Sequence, residues 1–152
     1  KPLAFLTLVG DIGKGAAAAL LTAYFIESEI IILASGAAAI LGHMFPVWIG
    51  FKGGKGVATT LGTIIALSPI LGGTMCAIWL AIAFSLRISS LSALTAFALA
   101  PLLSYFWIGN EKLALFSGII ALLVFWRHKD NIKRLLKGEE PKIGAKKDKN
   151  KG

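Results

Sequence analysis

The chain has 152 residues, 56% of them apolar and 16% charged, where ordinary soluble domains carry about 25% charged residues. With a mean hydropathy of +0.75, this composition excludes a disordered chain and argues against a soluble globule. The net charge of +8 is uneven: residues 127–152 hold ten Lys/Arg against four acids, residues 1–126 only six against four.

Crossing a bilayer takes about 20 apolar residues as a helix. Helices are expected near 3–26, 30–45, 57–67, 70–86, 89–107 and 112–127. The breaks between them are chemically marked. Glu27-Ser28-Glu29 is an acidic turn, and Phe45-Pro46 opens a glycine- and lysine-containing loop that ends at Gly56. Ser68-Pro69 stops one helix and starts the next. Arg87 with Ser89 and Ser90 marks another turn, and Gly109-Asn110-Glu111 the last. The fold class is therefore all-α, a polytopic membrane bundle of about six helices. Residues 1–137 read as one transmembrane domain and 138–152 as a basic, disordered tail. That tail has no aromatic residue, which argues against nucleic acid as a partner and for a cytoplasmic membrane surface.

The stretch 57–108 could hold two long helices or three shorter ones. Three put Lys1, the Lys52/Lys55 loop, Arg87 and the basic tail on one side, in line with the positive-inside rule. The segment 57–67 is then too short to span alone, at about 1.5 Å per residue. Ala34, Ala38 and Gly42 recur every fourth residue, a stripe that would let a neighbouring helix approach closely. Cys76 permits no internal disulfide and reads as a small buried hydrophobe. Asp11 and Lys14 interrupt any signal-peptide core. The chain begins Lys1-Pro2 without Met, and the expectation is that an upstream segment has been lost.

Three polar groups could carry chemistry. Asp11 and Lys14 share a helix face inside the first span. Each unpaired charge there costs roughly 2.5–3.5 kcal/mol, so the pair reads either as a packing ion pair or as the border of a polar cavity. Gly53-Gly54-Lys55-Gly56 leads into a helix start, where converging backbone N–H groups, the helix dipole and a lysine suit a phosphate. It is not a Walker A loop, because Gly56 follows Lys55 where that motif has Ser/Thr. Arg127-His128-x-x-Asn131 can direct His128 and Asn131, or Arg127 and Asn131, at one ligand if the helix continues past the membrane. No Cys/His set has zinc spacing, and neither a metal nor a cofactor is expected.

At these residues the chain resembles the bacterial acyl-phosphate:glycerol-3-phosphate acyltransferases, the PlsY family. The resemblance runs from Gly10 to about Glu140. Gly42-His43-x-Phe45-Pro46 through Gly53-Gly54-Lys55-Gly56-Val57-Ala58-Thr59 is similar to the family's second, glycerol-phosphate-binding motif. Arg127-His128-x-x-Asn131-Ile132 with Glu140 is similar to its third, and Asp11-x-x-Lys14-Gly15 also fits. The family's additional N-terminal helix and its first motif, with a serine and an arginine regarded as essential, have no counterpart here. About seven helices are implied for the full family.

The resemblance implies transfer of a fatty acyl group from acyl phosphate to the 1-hydroxyl of glycerol 3-phosphate. The products are lysophosphatidate and phosphate, at the bacterial inner membrane, with the site and basic C-terminus cytoplasmic. It implies catalytic roles for His128, Asn131 and Ser90, and substrate binding by Gly53, Gly54, Lys55, Gly56, His43, Lys14 and Asp11. Glu140 is implied to be structural. The implied partners are glycerol 3-phosphate, acyl phosphate, membrane lipid and the soluble enzyme that makes acyl phosphate. The alternatives are a membrane binder or transporter of a phosphorylated anion, or an inactive fragment of the enzyme.

Overall fold

A computed structural model describes residues 2–145. The six expected helices are present within a residue of their expected ends, α5 excepted: α1 (Pro2–Phe25), α2 (Glu29–Met44), α3 (Val57–Leu67), α4 (Pro69–Leu86), α5 (Ser89–Leu103) and α6 (Glu111–Arg127). A short seventh helix, α7 (Lys129–Leu136), follows a break at His128. No strand occurs among the described residues.

Local chemistry explains the boundaries. Ser68 caps α4 by accepting the Leu71 N–H, and Pro69 occupies the first helical position, where its missing N–H costs nothing. Asn110 caps α6 by accepting the Leu113 N–H at 2.8 Å. α5 contains Pro101 and winds into a π-helical turn over Ser104–Ile108, closed by Gly109 in the left-handed region.

The turns sort to two ends, as three helices in 57–108 require. At one end Glu29 accepts hydrogen bonds from Asn110 Nδ2 at 2.6 Å and Lys112 Nζ at 3.0 Å, tying the α1–α2 turn to the α5–α6 turn. At the other end the 50–56 loop, the Arg87 turn and the α6–α7 junction converge. There Arg87 exchanges backbone and side-chain hydrogen bonds with Ile143. The stretch after Gly138, expected to be disordered, is thus tied to the bundle as far as Ile143, by Arg87 and by Glu140, whose side chain is largely covered. Residues 146–152, and Lys1, lie outside the described residues.

The core gathers Ile40 and Met44 of α2, Ile64 of α3, Leu71 and Met75 of α4, Phe97 of α5, and Ile120 and Val124 of α6. Close approach depends on small residues. A side chain on Gly15 would strike the Thr59 carbonyl, and one on Gly62 the Ile12 carbonyl, so α1 and α3 cross almost backbone to backbone. The expected stripe does not do this: Ala34, Ala38 and Gly42 face outward, and Gly36 is the buried small residue of α2. A period of four identifies one face of a helix; it does not say whether that face has a neighbour.

Leu3, Tyr24, Phe84 and Phe106, among many others, project outward and are about four-fifths exposed. In water such a periphery would aggregate; against acyl chains it is the expected surface. Among the described residues four helical stretches are long and apolar enough to cross a bilayer: Pro2–Phe25, Glu29–Ile49, Pro69–Leu86 and Ser89–Ile108. α3, at eleven residues, is not. Cys76 is half-buried in α4.

Candidate active site

The site is built around the start of α3. Gly56 precedes the helix in a left-handed conformation, φ +80°, and a Cβ there would meet the Met44 side chain. It offers no side-chain cap, so the first N–H groups of α3 are free for a ligand. Lys55 Nζ points to the same place and donates to Asn131 Oδ1 at 2.6 Å. Burial lowers the Lys55 pKa below its ordinary 10.5, against the pull of Glu140.

Asn131 is oriented by Glu140. Its Nδ2 donates to Glu140 Oε1, which leaves Oδ1 facing Lys55. Glu140 also accepts from Ser90 Oγ and Arg134 Nε, each at 2.7 Å. Burial would raise its pKa, but the hydrogen bonds from Ser90, Asn131 and Arg134 outweigh that, and it lies below its ordinary 4.5.

His128 is buried at the junction of α6 and α7, with φ −98° and ψ 10°. This bridge region ends one helix and lets the next begin. Its Nδ1 donates to the Val124 carbonyl at 2.8 Å, which leaves the lone pair of the neutral ring on Nε2. Burial lowers its pKa below 6.5, the Val124 hydrogen bond opposes, and nearby Lys55 adds to the lowering.

Arg127 does not share a ligand with Asn131, as a spacing of four residues suggested. It reaches the other way, donating from Nε to the Gly54 carbonyl at 3.1 Å and from Nη2 to the Gly53 carbonyl. Its guanidinium lies 5.6 Å from the centre of the Phe45 ring. Arg127 thus grips one side of the glycine loop while Lys55, on that loop, meets Asn131 one turn further on. Sequence reading missed this role, because backbone carbonyls leave no mark in a sequence.

Asp11 and Lys14 form an ion pair, with Lys14 Nζ 2.6 Å from Asp11 Oδ1. The same ammonium donates to His43 Nδ1 at 2.7 Å, which puts the ring proton on Nε2. The Nε2 end of the His43 ring abuts Gly54, where any Cβ would collide with it. The pair is therefore both a packing contact and a cavity border.

One cavity of 680 Å³ joins these pieces. Its polar rim includes Asp11, His43, Gly54–Gly56, Ser90, His128, Asn131 and Glu140; its apolar wall includes Leu8, Ile12, Leu61 and Trp79. Lys14 and Gly53 line an adjoining cavity instead. Among the described residues no group of three His, Cys, Asp or Glu could hold a metal ion.

The family described as Glycerol-3-phosphate acyltransferase matches residues 1–138. The chain belongs to this family. It is 51% identical over 147 residues to glycerol-3-phosphate acyltransferase 1 of Rhizobium johnstonii, covering 96% of this chain and 70% of that protein. It is 52% identical over 151 residues to the enzyme of Caulobacter vibrioides, covering 97% and 68%. Two crystal structures of PlsY, an integral membrane glycerol 3-phosphate acyltransferase, match with a TM-score of 0.89 at 36% identity. One is the lysophosphatidic acid form, the other the glycerol 3-phosphate form. They cover 95% of this chain and 74% and 72% of theirs. As a member of the glycerol-3-phosphate acyltransferase family, the chain is a multi-pass membrane acyltransferase.

Proposed function

We propose that the acyl donor is an acyl phosphate and that the acceptor is the 1-hydroxyl of glycerol 3-phosphate. The observation that carries this reading is the single cavity in which Lys55, the α3 N–H groups, Asn131 and His128 face an apolar wall. A polar end for two phosphates and an apolar wall for a chain match the two substrates of that reaction.

The donor is already activated, so alignment and charge neutralisation suffice. The glycerol phosphate sits on the Gly53–Gly56 loop, paired with Lys55. The hydroxyl oxygen attacks the acyl carbonyl, the carbon–oxygen bond to phosphate breaks, and inorganic phosphate leaves. His128 takes the hydroxyl proton on Nε2. Asn131 contacts phosphate or hydroxyl, and Ser90 the acyl phosphate. His43 positions the loop with Asp11 and Lys14 behind it, and Glu140 holds Asn131 in register. The excess of basic residues at this end supports a cytoplasmic site in the inner membrane.

The test is transfer by the protein in bilayer vesicles, followed with labelled glycerol 3-phosphate. Labelled lysophosphatidate and phosphate release are expected only when both substrates are present. Movement of either substrate across the vesicle without product would support a carrier instead.

A further inference from the structure

A second cavity of 490 Å³ lies on the far side of the wall made by His43 and Gly54. Lys14, Lys52, Trp48 and Ile49 line it. The Lys14 charge is balanced by Asp11; Lys52 has no carboxylate partner among the described residues. Beside the lysines, the short 3-10 turn Val47–Ile49 and the residue after Gly50 push apolar side chains outward. Trp48 is 80% exposed and Val47 70%, with Ile49 and Phe51 each more than half exposed.

We propose that this cavity holds the phosphate of an anionic phospholipid headgroup. Lys52 supplies the charge beside the paired Lys14 ammonium, and Val47, Trp48, Ile49 and Phe51 form an apolar rim beside which acyl tails can lie. Tryptophan at the bilayer surface and basic pockets beside it are the features that retain lipid headgroups. A soluble phosphate would gain nothing from that rim. The site adjoins the acyl-transfer cavity and shares His43 and Gly54 with it as a common wall, so an occupant presses on the loop that bears Lys55. The proposal does not depend on the identity of the acyl donor.

Quenching of tryptophan fluorescence by spin-labelled lipids measures it directly. The expected result is a several-fold preference for phosphatidylglycerol over phosphatidylcholine. Lys52→Gln should lower that preference by up to about fivefold, Lys52→Arg should keep it, and Lys142→Gln, on an exposed residue elsewhere, should leave it almost unchanged. Excess inorganic phosphate should not abolish it. Equal binding of both lipids, the same preference in Lys52→Gln, an equal loss in Lys142→Gln, or displacement by inorganic phosphate would overturn the proposal.

Discussion

His128 owes its chemistry to its own backbone. It sits at the break between α6 and α7, donates its Nδ1–H to the Val124 carbonyl and keeps the Nε2 lone pair free of that bond. Burial and Lys55 keep it neutral to a pH below the ordinary 6.5. A base that is depressed in this way sets an acid limb for kcat/KM below pH 6.5. Above that value it is ready, and activity falls as pH drops through its folded-state pKa. Stability follows the same direction: this contribution is present above the unfolded value and is lost as pH falls. His128→Asn should cut kcat by about 10²–10⁴-fold and remove that limb from a pH–rate series. A retained limb would assign the proton transfer to another group, the substrate phosphate first. At this scale the sequence was informative about which residues meet. Lys55, His128 and Asn131 stood out as polar exceptions in an apolar chain, and they share one cavity. It misdirected Arg127, which the spacing paired with Asn131, because that residue's actual partners are carbonyl oxygens.

Helix boundaries were the most legible feature, since each is written in local chemistry: Ser68-Pro69, Asn110 and the acidic turn at Glu27–Glu29. Helix packing was less so. The visible stripe Ala34/Ala38/Gly42 faces outward, whereas Gly15 and Gly62, which carry no obvious period, make the α1–α3 crossing. Contacts between helices depend on rotation and crossing geometry, which a sequence does not print. This yields a paired expectation. Gly15→Val, which drives a side chain onto the Thr59 backbone, should cost about 1–3 kcal/mol or more. Ala38→Val, on the outward face, should stay within about 0.5 kcal/mol. Thermal unfolding in detergent reads both, and equal effects would contradict the crossing. α7 escaped sequence reading as a separate helix because His128 breaks the run without a glycine or proline to announce it.

Across the whole molecule, charge arranges the parts. The end with the 50–56 loop, the Arg87 turn, α7 and the strand of chain to Ala145 carries most of the cations, and the opposite end carries Glu27, Glu29 and the Asn110–Lys112 turn. That asymmetry was legible in the sequence and selected three helices for 57–108. What was not legible is that Glu140, beyond the last helix, returns to the bundle and fixes Asn131 against Lys55. The central claim is that the Lys55 loop is where glycerol 3-phosphate binds. Steady-state kinetics of Lys55→Ala in bilayer vesicles, with each substrate varied in turn, test it most directly. Losing a charged hydrogen bond worth about 1.5–3 kcal/mol should raise KM for glycerol 3-phosphate by roughly ten- to a hundredfold, with saturation by acyl phosphate little changed. An unaltered KM for glycerol 3-phosphate would contradict the account.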